Sequence, residues 1–179
     1  SRLTRSSPGG FRTWTRYGNA GATLEVMIYN IPGYGELEIR TIILDLNGTL
    51  SVGGAIPDGV GERIEQLRTK GFSIVLFTGN TRNDADQLCS ELGIEWKLAK
   101  SAEDKASLAQ AMDPDHCATI GNGRIDYELF KTVALGVVTL QSEGVYMKTL
   151  LEADIMVPNI VDALDLFLDE QRLIATMRS

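Results

Sequence analysis

The chain has 179 residues, 44% of them hydrophobic, with 17 basic against 24 acidic side chains and a net charge of −7. That length suits one domain with a sizeable core, and no apolar run reaches the roughly 18 residues that a spanning helix needs. The acidic balance argues against a nucleic-acid partner, whose phosphates would be repelled at long range.

Residues 1–24 carry four arginines (Arg2, Arg5, Arg12, Arg16) and no acid, so the rest of the chain is more acidic than the total implies. The first 23 residues are rich in Ser, Arg and Gly and lack the apolar segment of a secretory signal. An organellar transit peptide has a similar composition and is the minor alternative. The main expectation is an unstructured extension over 1–23, or sequence upstream of the true start, followed by a single domain over 24–179. Met27 opens the first patterned segment. Cys89 and Cys117 lie in apolar segments and make no disulfide framework, so a reducing, cytoplasmic setting is expected.

Leu24–Tyr29 and Glu36–Ile43 read as extended runs around Asn30-Ile-Pro-Gly-Tyr-Gly. Pro32-Gly33 is a turn signal, which predicts a β-hairpin. The second run passes into Ile42-Ile-Leu-Asp-Leu, apolar enough to be buried on both faces. Further on, helices are expected over 58–70, 82–93, 103–112, 124–134, 143–152 and 159–169. Strands are expected over 72–77, 95–98, 117–121, 136–140 and 154–157. Pro57-Asp58 and Thr81 suit helix starts, and Gly71 and Gly93 suit helix stops. Strands alternating with helices of this length predict right-handed βαβ units. The expected fold is a three-layer αβα, Rossmann-like, doubly wound parallel sheet with an N-terminal hairpin.

In such sheets ligands bind beyond the carboxyl ends of the strands, where Asp45, Asn47, Thr78 and Asn122 fall. Asp45 is expensive to desolvate unless its charge is used. A carboxylate there can attack phosphorus when a cation neutralises the substrate; an Asx turn is the plain alternative. Gly48 allows close backbone approach. Thr78, followed by the N–H groups of Gly79 and Asn80, forms an anion cradle or an ordinary helix cap. Lys105 can reach a phosphate or remain a solvated surface lysine, with Lys100 as a rival. Gly121-Asn-Gly lacks the third glycine of a dinucleotide motif. Asp126, in the first turn of the next helix, either caps it or joins a hard-cation site. His116 reads as a loop histidine, and Trp96 and Tyr127 as packing residues.

In order, Asp45-Leu-Asn-Gly-Thr, Thr78, Lys105 and Gly121-Asn-Gly-Arg-Ile-Asp resemble the haloacid-dehalogenase (HAD) superfamily. More closely, they look like its small soluble members related to the phosphorylation domain of P-type ATPases, over about residues 27–177. The resemblance implies that Asp45 becomes phosphorylated, that Thr78 binds the phosphate, and that Lys105 neutralises phosphate and nucleophile. It implies Mg2+ held by Asp45, Asn122, Asp126 and the main-chain carbonyl of Asn47.

Two departures matter. Phosphatases of that superfamily have an aspartate where this chain has Asn47, and an amide cannot exchange protons at neutral pH. That points to a slow or persistent phosphoenzyme. Asn122 replaces a usual acid, which weakens the cation site before substrate binds. No cap domain is visible, so a bare site is expected, with a large substrate, a subunit partner acting as lid, or inefficient exclusion of water; the hairpin is a candidate contact for a homo-oligomer. The leading reading is a Mg2+-dependent phosphohydrolase or phosphotransferase acting on a phosphorylated small molecule or nucleotide, with no nucleic-acid or membrane partner. A non-catalytic phosphate- or nucleotide-binding regulatory module is the second reading. A receiver-type domain is the third, disfavoured because Glu36–Arg40 supplies no acidic pair.

Overall fold

A computed structural model describes residues 16–17, 23–24, 26–79 and 84–179. Arg16–Tyr17 (β1) and Thr23–Leu24 (β2) form a short antiparallel ladder; the rest of the extension expected over 1–23 lies outside the described residues. Met27–Ile31 (β3) pairs antiparallel with Gly35–Ile39 (β4). The Tyr34 N–H donates to the Ile31 carbonyl at 3.1 Å, and Gly33 takes φ +81, as a Pro-Gly turn requires. Strand alternation turns Met27, Tyr29, Ile31, Leu37 and Ile39 into the core and leaves Asn30 and Glu36 exposed.

The extended run expected from Glu36 through Ile43 is in fact two strands in separate sheets, broken at Arg40. The Arg40 N–H donates to the His116 carbonyl at 2.8 Å, and its own carbonyl accepts from Ser73 at 2.9 Å. Both backbone groups are thereby turned toward the neighbouring strands of the main sheet, so the hairpin departs before this residue. Thr41–Asp45 (β5) then begins the main sheet.

The remaining elements are Val60–Thr69 (α1), Ser73–Thr78 (β6), Asp84–Leu92 (α2), Glu95–Leu98 (β7), Ala102–Gln110 (α3) and Cys117–Gly121 (β8). They continue through Tyr127–Phe130 (α4), Leu135–Thr139 (β9), Met147–Glu152 (α5), Ile155–Val157 (β10), Ile160–Leu168 (α6) and Glu170–Met177 (α7). The sheet order is β10-β9-β8-β5-β6-β7, with every neighbouring pair parallel. No inserted cap interrupts the described chain: residues 46–59 form turns and two small bridges.

β5 is central and buried on both faces. Ile42 and Leu44 join a cluster with the hairpin, α1, α6 and α7, while Ile43 meets Val75, Phe77, Ala109 and Leu129 under α3 and α4. Each such aliphatic contributes about 1.5–3 kcal/mol by burial, and a one-residue slip would turn the set to the wrong faces. That fixes where Asp45 emerges. On the first face, Arg63 of α1 grips Asp165 of α6 with Nε to Oδ1 at 2.6 Å and Nη2 to Oδ2 at 3.3 Å.

Two expected helices differ, and one helix is unexpected. The one expected over 124–134 is a 3-10 turn, Arg124–Asp126, followed by the short α4. Phe130 packs so closely on Gly136 that a Cβ there would meet its ring at 2.6 Å, and the chain must already be turning into β9. The helix expected over 143–152 begins only at Met147, because tertiary hydrogen bonds hold residues 141–146 in a loop. α7 has no counterpart among the expected elements. Among the described residues, no helix is long and apolar enough to cross a membrane.

Candidate active site

The parallel register sets Asp45 opposite Phe77, one residue before Thr78, and Leu44 opposite Ile120, two before Asn122. Three strand ends therefore open onto one cavity of about 780 Å³, lined by Asp45, Asn47, Thr78, Gly79, Lys105 and Asn122, among others. Beyond Asp45 the chain turns sharply. The Leu50 N–H donates to the Asp45 carbonyl at 3.2 Å, and that of Gly48 to Ser51 at 2.8 Å. Gly48 has φ +74, a left-handed conformation that a side chain would resist. Its missing Cβ is also needed: that atom would sit 2.5 Å from Glu143 Oε2 and 2.6 Å from Asn122 Nδ2.

Lys105 arrives from the first turn of α3. Ser101 accepts from the Asp104 N–H at 3.0 Å, and Asp104 Oδ2 accepts from the Ser101 N–H at 3.1 Å. This capping box fixes the helix start and turns Lys105 inward until 1% of its side chain is exposed. Its Nζ lies 2.5 Å from Asp45 Oδ1 and 2.6 Å from Asp126 Oδ1. The rival Lys100 stays exposed, with its backbone N–H bonded to Asp104 at 2.9 Å.

Asp126 is wholly buried. Its Oδ1 receives Lys105, and its Oδ2 accepts the N–H groups of Asn122 and Gly123 at 3.1 and 2.9 Å. With both oxygens engaged and no share in the cavity lining, it anchors Lys105. The side chain expected to join a hard-cation site thus stands behind Lys105 and not on the cavity wall. Asn122 is also committed. Its Oδ1 accepts from the Thr49 hydroxyl at 3.4 Å, and its Nδ2 donates to the Gly144 carbonyl at 2.9 Å. Thr78 is buried at its strand end, Asn47 is exposed on the rim, and Asn80 lies outside the described residues.

One ammonium thus serves two buried carboxylates. Burial, and then the charge of Asp126, raise the Asp45 pKa to about 6, against the lowering effect of Lys105 and the Leu46 N–H. Burial alone would lower the Lys105 pKa, but Asp45 and Asp126 outweigh it and hold the ammonium charged. An incoming phosphate would add negative charge to a centre that already has an excess of it.

The oxygens facing the cavity suit a hard divalent cation such as Mg2+, which keeps several waters and borrows substrate oxygens. Among the described residues no three His, Cys, Asp or Glu side chains form a complete cage.

Sequence reasoning missed the wall formed by Glu143, Gly144, Val145 and Tyr146. The strand-end rule applied to β5, β6 and β8 would have found it had it been extended to β9, whose polar end is Gln141-Ser-Glu-Gly.

Solved structures share this fold. One described as a HAD superfamily (subfamily III A) hydrolase from Legionella pneumophila superposes with a TM-score of 0.64 at 22% identity, covering 78% of this chain and 87% of its own. This is a HAD fold. A 3-deoxy-D-manno-octulosonate 8-phosphate phosphatase from Moraxella catarrhalis, solved with magnesium, phosphate and its sugar, gives 0.64 at 19% identity over 78% and 94% of the two chains.

Two curated relatives come from Methanocaldococcus jannaschii. An uncharacterised protein is 51% identical over 59 residues, covering 33% of this chain and 63% of its own. A soluble P-type ATPase-like phosphatase is 28% identical over 140 residues, covering 75% of this chain and 51% of its own. The chain therefore spans between half and two thirds of the length of these relatives. No family model matches it.

Proposed function

We propose that this protein is a phosphohydrolase or phosphotransferase that works through a phosphoaspartate on Asp45. The observation that carries the reading is the buried Asp45–Lys105–Asp126 chain, at 2.5 and 2.6 Å, opening onto a cavity that Thr78 also lines. A buried lysine held between two carboxylates is expensive to maintain for structure alone.

In the proposed reaction an Asp45 Oδ attacks phosphorus and the bond from phosphorus to the leaving oxygen breaks. The leaving group takes its proton from water, because Asn47 has none to give at neutral pH. Lys105 holds charge beside both nucleophile and phosphate, and the Thr78 hydroxyl and the Gly79 N–H bind phosphate oxygens. Bound Mg2+, held by Asp45 and the Asn47 carbonyl, would supply neutralisation of the phosphate charge. Water then attacks phosphorus, releasing phosphate and restoring Asp45, slowly for want of a base at position 47.

The cavity volume lies within the roughly 300–1,000 Å³ of small-ligand sites, which supports a phosphorylated small molecule or a nucleotide as substrate. The paired soluble phosphatase relative supports the same class. Cys89 and Cys117 are both free and buried, in keeping with a reducing cytoplasm, and we assign residues 24–179 to one domain. A homo-oligomer built through the hairpin would give the bare site a lid.

The test is intact mass after incubation with acetyl phosphate or ATP and Mg2+, quenched in acid. One added phosphoryl group in wild type and none in Asp45→Asn is expected. Turnover retained by Asp45→Asn would remove Asp45 from the mechanism, and no adduct or phosphate release with either donor would favour a non-catalytic binding module.

A further inference from the structure

The loop between β9 and α5 is built into the site. The Asn122 amide nitrogen donates to the Gly144 carbonyl at 2.9 Å, and the Tyr146 N–H donates back to the Asn122 carbonyl at 2.9 Å. On the loop's other side the Gln141 side-chain amide donates to the Thr49 carbonyl. Gln141 itself takes φ +46, a conformation that non-glycine residues hold only when their surroundings impose it. Residues 141–146 are therefore tied to the two loops that carry Asp45 and Asn122.

This clasp needs an amide at position 122. Only a nitrogen can donate to the Gly144 carbonyl; an aspartate there would set a carboxylate against a carbonyl oxygen. The clasp also brings Glu143 against Gly48. Glu143 Oε2 and Asn122 Nδ2 lie 2.5 and 2.6 Å from the single point where a Gly48 Cβ would stand. Glu143 lines the cavity and remains exposed, so bringing its charge there carries little desolvation penalty. Among the described residues it makes no hydrogen bond or ion pair.

Charge closes the argument. Asp45 and Asp126 against Lys105 leave one negative charge at the site; Glu143 makes it two, the complement of a divalent cation.

Resting on the cation-assisted reading of Asp45 above, we infer that Glu143 is the second carboxylate of the cation site, supplying from the β9–α5 loop the charge that position 122 lacks. The amide at 122 and the acid at 143 are then one device, the first placing the second.

The experiment is Mn2+ titration of the full chain without substrate, followed by electron paramagnetic resonance of free Mn2+, for wild type, Glu143→Gln and Asp45→Asn. The same proteins are assayed for the Asp45 adduct by mass. Glu143→Gln should weaken Mn2+ binding roughly tenfold or more, since affinity follows ligand charge, with an unchanged melting temperature. Glu143→Gln binding Mn2+ as tightly as wild type, while Asp45→Asn loses it, would overturn the inference and leave the Asp45 reading standing. Weakened Mn2+ binding in Glu143→Gln with no adduct in wild type would uphold the cation site and sink the phosphoaspartate reading.

Discussion

Lys105 is 2.5 Å from Asp45, and 1% of its side chain meets solvent. The same ammonium holds Asp126 at 2.6 Å, so removing it strands two acids in the interior. Lys105→Met should lower stability by about 3–5 kcal/mol, the range for breaking a buried pair. Denaturant unfolding measures the loss, and added Mg2+ should recover part of it. An unchanged midpoint would mean that the acids do not depend on Lys105.

Asp45 contributes to stability with an unusual sign. Its folded pKa, about 6, lies above the ordinary 3.8, because burial and then Asp126 disfavour the charged form. Folding therefore favours protonated Asp45. That stabilisation is full below about pH 4 and is lost as pH rises through 6. In cation-free buffer, Asp45→Asn should be more stable than wild type by about 1–3 kcal/mol at pH 8, with the gap closing by pH 4. Thermal melts across pH test this; equal stability at pH 8 would refute it.

On the proposed mechanism, Asn47→Asp supplies a proton carrier beside the phosphoaspartate. Phosphate release should accelerate by up to about 10²–10⁴, the usual worth of general acid–base catalysis, and the standing adduct should shrink. A single-turnover chase of the phosphorylated protein reads both. No acceleration would show that water attack is limited elsewhere.

Asn122→Asp removes the donor that reaches the Gly144 carbonyl and brings a charge toward Glu143. A lost buried hydrogen bond of this kind costs about 1–3 kcal/mol. Hydrogen exchange should quicken at residues 141–146, including the Tyr146 amide, with little change in β5. Unaltered protection there would show that the loop is held by other contacts.

Much of this architecture is legible from residue order. Apolar runs ending in Asp45, Thr78 and Gly121-Asn-Gly mark buried parallel strands with polar ends, and Ser101-Ala-Glu-Asp announces the cap that aims Lys105. Pro32-Gly33 fixes the hairpin through local turn chemistry alone. What failed to show depends on distant partners. Residues 143–146 carry no helix breaker stronger than Gly144, and bonds from the 141–146 loop to Asn122, Thr49 and Pro158 keep it unwound. Arg40 reads as one more strand residue; its break comes from His116 and Ser73 drawing on its backbone. The pairing of Asp126 with Lys105 spans 21 residues and leaves no mark on the local sequence.

The hairpin's inner face has a temporal consequence. Tyr29 donates its hydroxyl to the Phe167 carbonyl at 3.4 Å across 138 residues, and β3 rests on α7. During synthesis the apolar side of β3 and β4 emerges first and its covering helices last. Such long-range closure is slow, so the nascent chain carries an uncovered, aggregation-prone ribbon until nearly all of the domain has left the ribosome. Chaperone demand during translation should therefore fall on the hairpin rather than on the catalytic strands.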